Sequence, residues 1–309
     1  VAAASPVQAP FGQMIRDFNA AQTQVQIEYT IYSDSGLDGT QPADLLRTQI
    51  LAGDPPDLYA FYTDGYAAPP LAPESTCADL LPLLGETVTA EALVPGLYDL
   101  MTAGGTLREL PLTVAVDTVI APARLLPEPG VTLAELEQAR AQLPSGWVPI
   151  GSWNTPENLF AAFCMAYCIG AYTDRATASC DFLQQSFYDY LTWCKTWGGD
   201  GSIPPAPEKE LLRIWQIESL SWLAGRSETV QEHWFGEPAY TFIGFPTADG
   251  SIGNGYRVRS SLGVSPQCKS MDAAKAFLEY CFSYVQGAYI PANYAILQAE
   301  LAEYIAGNR

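Results

Sequence analysis

One histidine serves the whole chain of 309 residues, His233 in QEHWFGE. A lone histidine beside aromatics is more often structural than catalytic, and any Ser-His-Asp triad would have to use it. No G-x-S-x-G elbow is present to present such a serine. A Walker A loop and a G-x-G-x-x-G after a strand are also missing, so the usual phosphate and dinucleotide cradles are excluded. DSGLDGT fails the spacing of a calcium loop and has no glutamate at the twelfth position. Two carboxylates could serve a glycosidase, but 34 acidic residues leave no single pairing favoured.

Long apolar runs are missing as well. None approaches the roughly 18 residues of a membrane span, and no basic segment followed by an apolar one opens the chain. The first residues, VAAASPV, read as the tail of a strand, as expected of a chain cut from a longer precursor. Basic residues are scarce: 15 Lys+Arg face 34 Asp+Glu, a formal net charge of -19. Such a field repels nucleic-acid backbones and anionic membrane surfaces, and it argues against anionic solutes. The acidic residues are scattered, which makes them a solvated surface rather than an interaction tail.

The seven cysteines lie at 77, 164, 168, 180, 194, 268 and 281, an odd number with no CxxC pair. Cys164 and Cys168 share one face of an apolar helix in FAAFCMAYCIGAY. Buried core thiols are the expectation, ahead of one disulfide or a metal site.

What the chain does have is alternation. FGQMIRDFNAAQ places Phe11, Met14, Ile15 and Phe18 on one helical face. Val25, Ile27, Tyr29 and Ile31 alternate with polar residues and predict a strand. A second helix ends at Gly53, ahead of Pro55 and Pro56, and LYAFY is the next strand. This order predicts βαβ units and a mostly parallel sheet. Short helices follow around LLPLL and EALVPGLYDLM, then the extended apolar run LPLTVAVDTVIAP. Thr132 and Glu135 form a capping box ahead of the next helix. A long Cys- and aromatic-rich helical region reaches about Trp197. The Gly/Pro linker GGDGSIPPAPEK and a further helix, ELLRIWQIESLSWLAG, come next. YTFIGFP and SLGVS read as strands, MDAAKAFLEYCFSYV as a helix, YIPAN as a turn and ILQAELAEYIAG as the last helix.

Aromatics gather where strands end. Tyr62 follows LYAF, Trp153 follows VPIGS and Tyr256 follows SIGNG. Aromatic faces stack on the C–H faces of sugars or on apolar ligand groups, with neighbouring Asp, Asn and Arg adding directional hydrogen bonds. In open α/β sheets, ligands sit outside the carboxyl ends of the strands.

Several separated stretches, in order, resemble the extracellular solute-binding proteins of ABC importers, a group with many sugar binders. They are MIRDFNAAQTQVQIEY, TQILAGDPPDLYAF, ELPLTVAVDTVIAP, VTLAELEQA, YTDRATASCDFLQQSFYDYLTWCK, FIGFPTADG, SLGVSPQCKSMDAAKAFLEYCFS and AYIPANYAILQAELA. TQILAGDPPDLYAF is the most specific of them.

The resemblance implies an α/β fold of two lobes joined by hinge crossovers, the periplasmic-binding-protein-like type II arrangement. Crossings are expected near 111–116, 245–250 and 289–292. Lobe one would be 1–112 plus 250–289, and lobe two 113–249 plus 290–309. The cleft-lining positions it implies are Ser5, Tyr62, Asp64, Trp153, Asn154, Tyr256, Arg257, Asn293 and Tyr294. Stacking would come from Trp153, Tyr62 or Tyr256, and hydroxyl recognition from Asp64, Asn154 and Arg257.

The expectation is therefore a monomeric binder of a small solute, preferably a carbohydrate, with no catalytic residue, metal or cofactor and no nucleic-acid partner. An ABC permease would be its partner. The protein would be extracellular, with the precursor tethered as a lipoprotein to the outer face of the cell membrane. The rivals are a carbohydrate-active enzyme and a sensor or adhesin module that binds a protein.

Overall fold

The apolar stripe of Phe11, Met14, Ile15 and Phe18 is fully buried on α1 (Ala9–Ala21). The computed structural model describes residues 2–3, 9–31, 42–62, 76–102, 104–163, 172–174, 177–204, 208–220, 235–236, 239–284 and 289–307. Ser5, Asp64, Cys164, Cys168, His233 and the DSGLDGT segment lie outside them. The chain divides into two compact units, 1–115 with 258–309 and 116–257.

In unit 1 the expected βαβ order holds. β1 (Ala2–Ala3), β2 (Thr30–Ile31) and β3 (Leu58–Tyr62) pair in parallel, with β1 between the other two. α2 (Pro42–Leu51) ends as the glycine and prolines require. Gly53 takes φ 79, and its N–H and that of Asp54 donate to the carbonyls of Ile50 and Gln49. The strand predicted from Val25 to Ile31 is only two residues long. Upstream of it, side chains from the end of α1 replace the ladder: Asn19 bonds both backbone groups of Ile27, and Gln22 bonds those of Val25.

The first unit also holds α3 (Leu81–Leu84), α4 (Leu97–Met101), α8 (Met271–Phe282) and α9 (Tyr294–Ile305). Phe18 of α1 meets Phe277 and Tyr280 of α8, each with ring centroids 5.2 Å apart. β10 (Gly255–Val264) runs antiparallel to β3, so the sheet is mixed rather than mostly parallel.

Unit 2 holds the second half of β4 (Leu110–Pro122), then α5 (Leu133–Arg140), β5 (Val148–Ile150), α6 (Pro156–Phe163), α7 (Gln185–Trp197), β8 (Glu210–Ile217) and β9 (Tyr240–Phe242). β4 pairs antiparallel with both β8 and β9, and β5 pairs parallel with β8. The capping box is formed: Glu135 N–H donates to Thr132 Oγ1 at 3.2 Å, and Thr132 N–H to Glu135 Oε2 at 2.8 Å. Phe163 lies 5.0 Å from the rings of both Trp193 and Phe245, at the centre of the unit's core.

Three expectations change here. ELLRIWQI is the strand β8, not the start of a helix. Leu211 and Leu212, successive residues on opposite faces of β8, are both buried, so both faces are covered there and the segment reads as an apolar run without a clear period. The aromatic-rich region before Trp197 contains a small hairpin, β6 (Thr173–Asp174) with β7 (Ser179–Cys180). Cys180 is exposed there, whereas Cys77, Cys194 and Cys281 are buried as expected.

The chain crosses between units at two places, 115/116 in β4 and 257/258 in β10. Residues 245–250 stay in unit 2, where Thr247 N–H donates to the Val131 carbonyl. Residues 290–309 belong to unit 1 rather than to the second lobe. β11 (Ile290–Pro291) pairs with Val114 and Thr113 of β4, and Tyr294 N–H donates to the Ala92 carbonyl.

Among the described residues, no helix is long and apolar enough to cross a membrane. Thr132→Ala is expected to remove the hydroxyl arm of the capping box, leaving the residue-132 N–H on Glu135, and to cost unit 2 about 1 kcal/mol. A urea titration would show this as a lower midpoint at unchanged slope.

Candidate functional site

Trp153 is a large aromatic left 40% exposed, and its surroundings hold it in one place. It lies in the turn that follows β5. That turn is closed by Asn154, whose N–H and Nδ2 both donate to the Gly151 carbonyl, at 2.9 and 3.2 Å. A second strand of chain runs against it: Gly199 N–H donates to the Asn154 carbonyl at 2.7 Å and Gly201 N–H to the Ser152 carbonyl at 3.0 Å. Only glycine fits at 199, because a Cβ there would collide with the Ser152 carbonyl.

Two glutamates fasten the same turn. Glu208 accepts from Ser152 N–H and Ser152 Oγ, both at 2.7 Å. Glu210, the first residue of β8, accepts from Gly151 N–H at 2.6 Å and from Arg213 Nη1 at 2.8 Å. Its side chain is 1% exposed, against 24% for that of Arg213. Burial raises the Glu210 carboxyl above its ordinary value, while Arg213 and the Gly151 N–H oppose that shift. The Arg213 guanidinium lies over the Trp153 ring, 5.5 Å from its centroid. The result is a partly exposed indole with one face on a guanidinium, whose charge is met by a buried carboxylate.

A second charged pair lies in the same unit. Arg257 on β10 donates to Asp117 on β4 through Nε at 2.7 Å and Nη2 at 2.5 Å, a bidentate contact with both side chains mostly covered. Arg257 is thus engaged with a carboxylate of its own unit. Tyr256 beside it is half-buried.

The remaining expected positions sit differently. Asn154 is buried and builds the turn that carries Trp153. Asn293 caps α9, accepting from the N–H groups of Ala295 and Ile296 and donating to the Phe282 carbonyl. Tyr294 is the first residue of that helix and is half-buried. Tyr62 ends β3, as expected, and only its backbone is described.

The sequence pointed to Trp153 but missed Gly151, Ser152, Glu208, Glu210, Arg213 and Asp117. A strand assignment for ELLRIWQI would have placed Glu210 at a strand's amino end and Arg213 within the strand, neither of them the carboxyl-end position that drew attention to Trp153.

No family model matches the sequence, and no curated protein does. Solved structures match by shape. The sugar-binding protein MalE of Xanthomonas citri aligns with 99% of this chain and 84% of its own, at a TM-score of 0.67 and 15% identity. An ABC transporter solute-binding protein of Thermotoga lettingae, bound with alpha-D-tagatose, aligns with 98% of this chain and 83% of its own, at 0.58 and 13%. An ABC substrate-binding protein of Listeria monocytogenes, in complex with cycloalternan, aligns with 97% and 81%, at 0.56 and 15%. At such identities the likeness is one of fold: the chain has the α/β fold of ABC sugar- and solute-binding proteins.

Replacing Glu210 by glutamine tests the buried carboxylate. Its folded form holds a proton more tightly than the unfolded chain does, so the folded state binds more protons near the carboxyl's titration. Wild-type stability, relative to Glu210→Gln, should therefore fall as pH rises from about 4 through the raised value, and level off above it. Urea unfolding across pH 4 to 8 reads this; a relative rise with pH would mean that Arg213 outweighs burial.

Proposed function

Starting from that fold, we propose that the protein is a non-catalytic binder of a small, neutral, sugar-like solute, which it delivers to an ABC permease outside the cell. The observation that carries the reading is Trp153: an exposed indole, fixed by neighbours before any ligand arrives, is what stacking on the C–H face of a sugar ring requires. The sugars named for two of the similar structures support the carbohydrate class. The excess of acidic residues disfavours anionic solutes.

Ligand capture in this reading acts on β4 and β10, the strands that pass from one unit to the other. A ligand that prefers one arrangement of the units shifts the population toward it. The Arg257–Asp117 pair spans these two strands just inside unit 2. Tyr62, Tyr256 and Tyr294 remain candidate ligand contacts, with Ser5 and Asp64. Asn154 and Asn293 act through the backbone they hold. A monomer tethered to the outer face of the membrane completes the proposal.

A thermal-shift screen over neutral mono- and oligosaccharides should give at least one ligand that raises the melting temperature, since binding to the folded state stabilises it by mass action. Trp153→Ala should weaken that ligand by about 10-fold or more, with the fold intact by circular dichroism. A screen without any stabilising sugar, together with turnover of chromogenic glycosides, would favour the enzyme rival instead.

A further inference from the structure

The support beneath Trp153 is built to close one face of the ring. We propose that Arg213, held by Glu210, is a positioning and specificity residue: it covers one face of the Trp153 indole, leaving a single face for a neutral ring and disfavouring cationic solutes. This rests on the binding role proposed above for Trp153.

Three observations converge. The guanidinium lies 5.5 Å from the ring centroid, so that face is taken. Arg213 cannot swing away without leaving Glu210 Oε1, 2.8 Å from its Nη1, and a buried carboxylate would then lose its cation. The third is Gly151, where a Cβ would stand 2.8 Å from both Trp153 Nε1 and Glu210 Oε2. Glycine there lets the edge of the indole close over the backbone that Glu210 also grips. The ring is thus bounded by a guanidinium on one face and a glycine at one edge.

The chemistry of the open face follows. An aromatic face attracts cations through its quadrupole. A guanidinium already under the ring opposes a second cation above it, by direct repulsion and by drawing π density downward. A neutral ring with polarised C–H bonds avoids the direct repulsion and keeps the stacking area. Among the described residues, Glu208, Glu210 and Asp200 are acidic groups beside this turn; Glu208 is engaged with Ser152, Glu210 with Gly151 and Arg213, and Asp200 accepts from Ser202 N–H.

The first measurement needs no ligand. Trp153 emission is taken as the difference between wild type and Trp153→Phe, and its acrylamide quenching is compared in Gly151→Ala and Arg213→Gln. Each substitution should free the ring and raise quenching about twofold; unchanged quenching in Arg213→Gln would overturn the proposal. Arg213→Lys keeps the charge that meets Glu210 and should raise quenching as well, so it decides the matter even if Arg213→Gln folds poorly.

The same emission is then titrated with mannobiose and with benzyltrimethylammonium. Wild type should prefer the neutral probe, and Arg213→Gln should weaken it about 10-fold while strengthening the cation. Arg213→Lys should keep the rejection of the cation without restoring the rigid ring, since lysine has charge but no planar fork. A wild type that binds the ammonium more tightly overturns the proposal. A wild type that answers neither probe removes the sugar reading, while the quenching result still decides whether Arg213 positions the ring.

Discussion

Taking a carboxylate out of water costs several kcal/mol unless donors meet it, and Glu210 is almost wholly out of water. The second unit is organised around meeting that demand. One oxygen faces a backbone N–H at Gly151 and the other a guanidinium at Arg213. Charge-assisted hydrogen bonds are each worth about 1.5–3 kcal/mol, so two of them offset much of the burial. They also fix the start of β8 against the turn after β5, which the parallel β5–β8 pairing has already brought alongside. Trp153 inherits its position from this arrangement.

Local signals survived translation into structure because the forces behind them are local. The stripe on α1, the Thr132–Glu135 capping box and the stop at Gly53 each rest on residues within a turn or two of one another. Residues 25–29 failed as a strand because Asn19 and Gln22 reached their backbone first. β8 failed as a helix because the strands that pair with its two edges lie far off in the chain, and burial of both Leu211 and Leu212 erases the period. The site shows the same divide. Trp153 stood out as an aromatic after a strand, but Glu210, which holds its turn, is 59 residues away from Gly151. Long-range partners of that kind leave no mark in spacing.

Asn154 and Asn293 show why residue type alone does not fix what an amide will bond. Amides suit sugar hydroxyls, and they suit orphaned backbone groups equally well. Both were pointed at backbone by the turn and helix start in which they sit. Arg257 is similar: its fork faces Asp117, a partner on the neighbouring strand that the sequence separates by 140 positions. What such residues contribute is the firmness of the frame.

The two crossing points have a consequence for how the protein is made. Unit 2 is one unbroken segment, whereas unit 1 is assembled from both ends of the chain. β3 emerges from the ribosome early, but the residues that line its free edge, Ser260 to Val264, come only after all of unit 2. Throughout that interval an apolar strand, LYAFY, presents an unpaired edge, the kind of surface that invites pairing with other chains. A chaperone that shields that edge would therefore matter most before the last sixth of the chain exists, and not at all once it does.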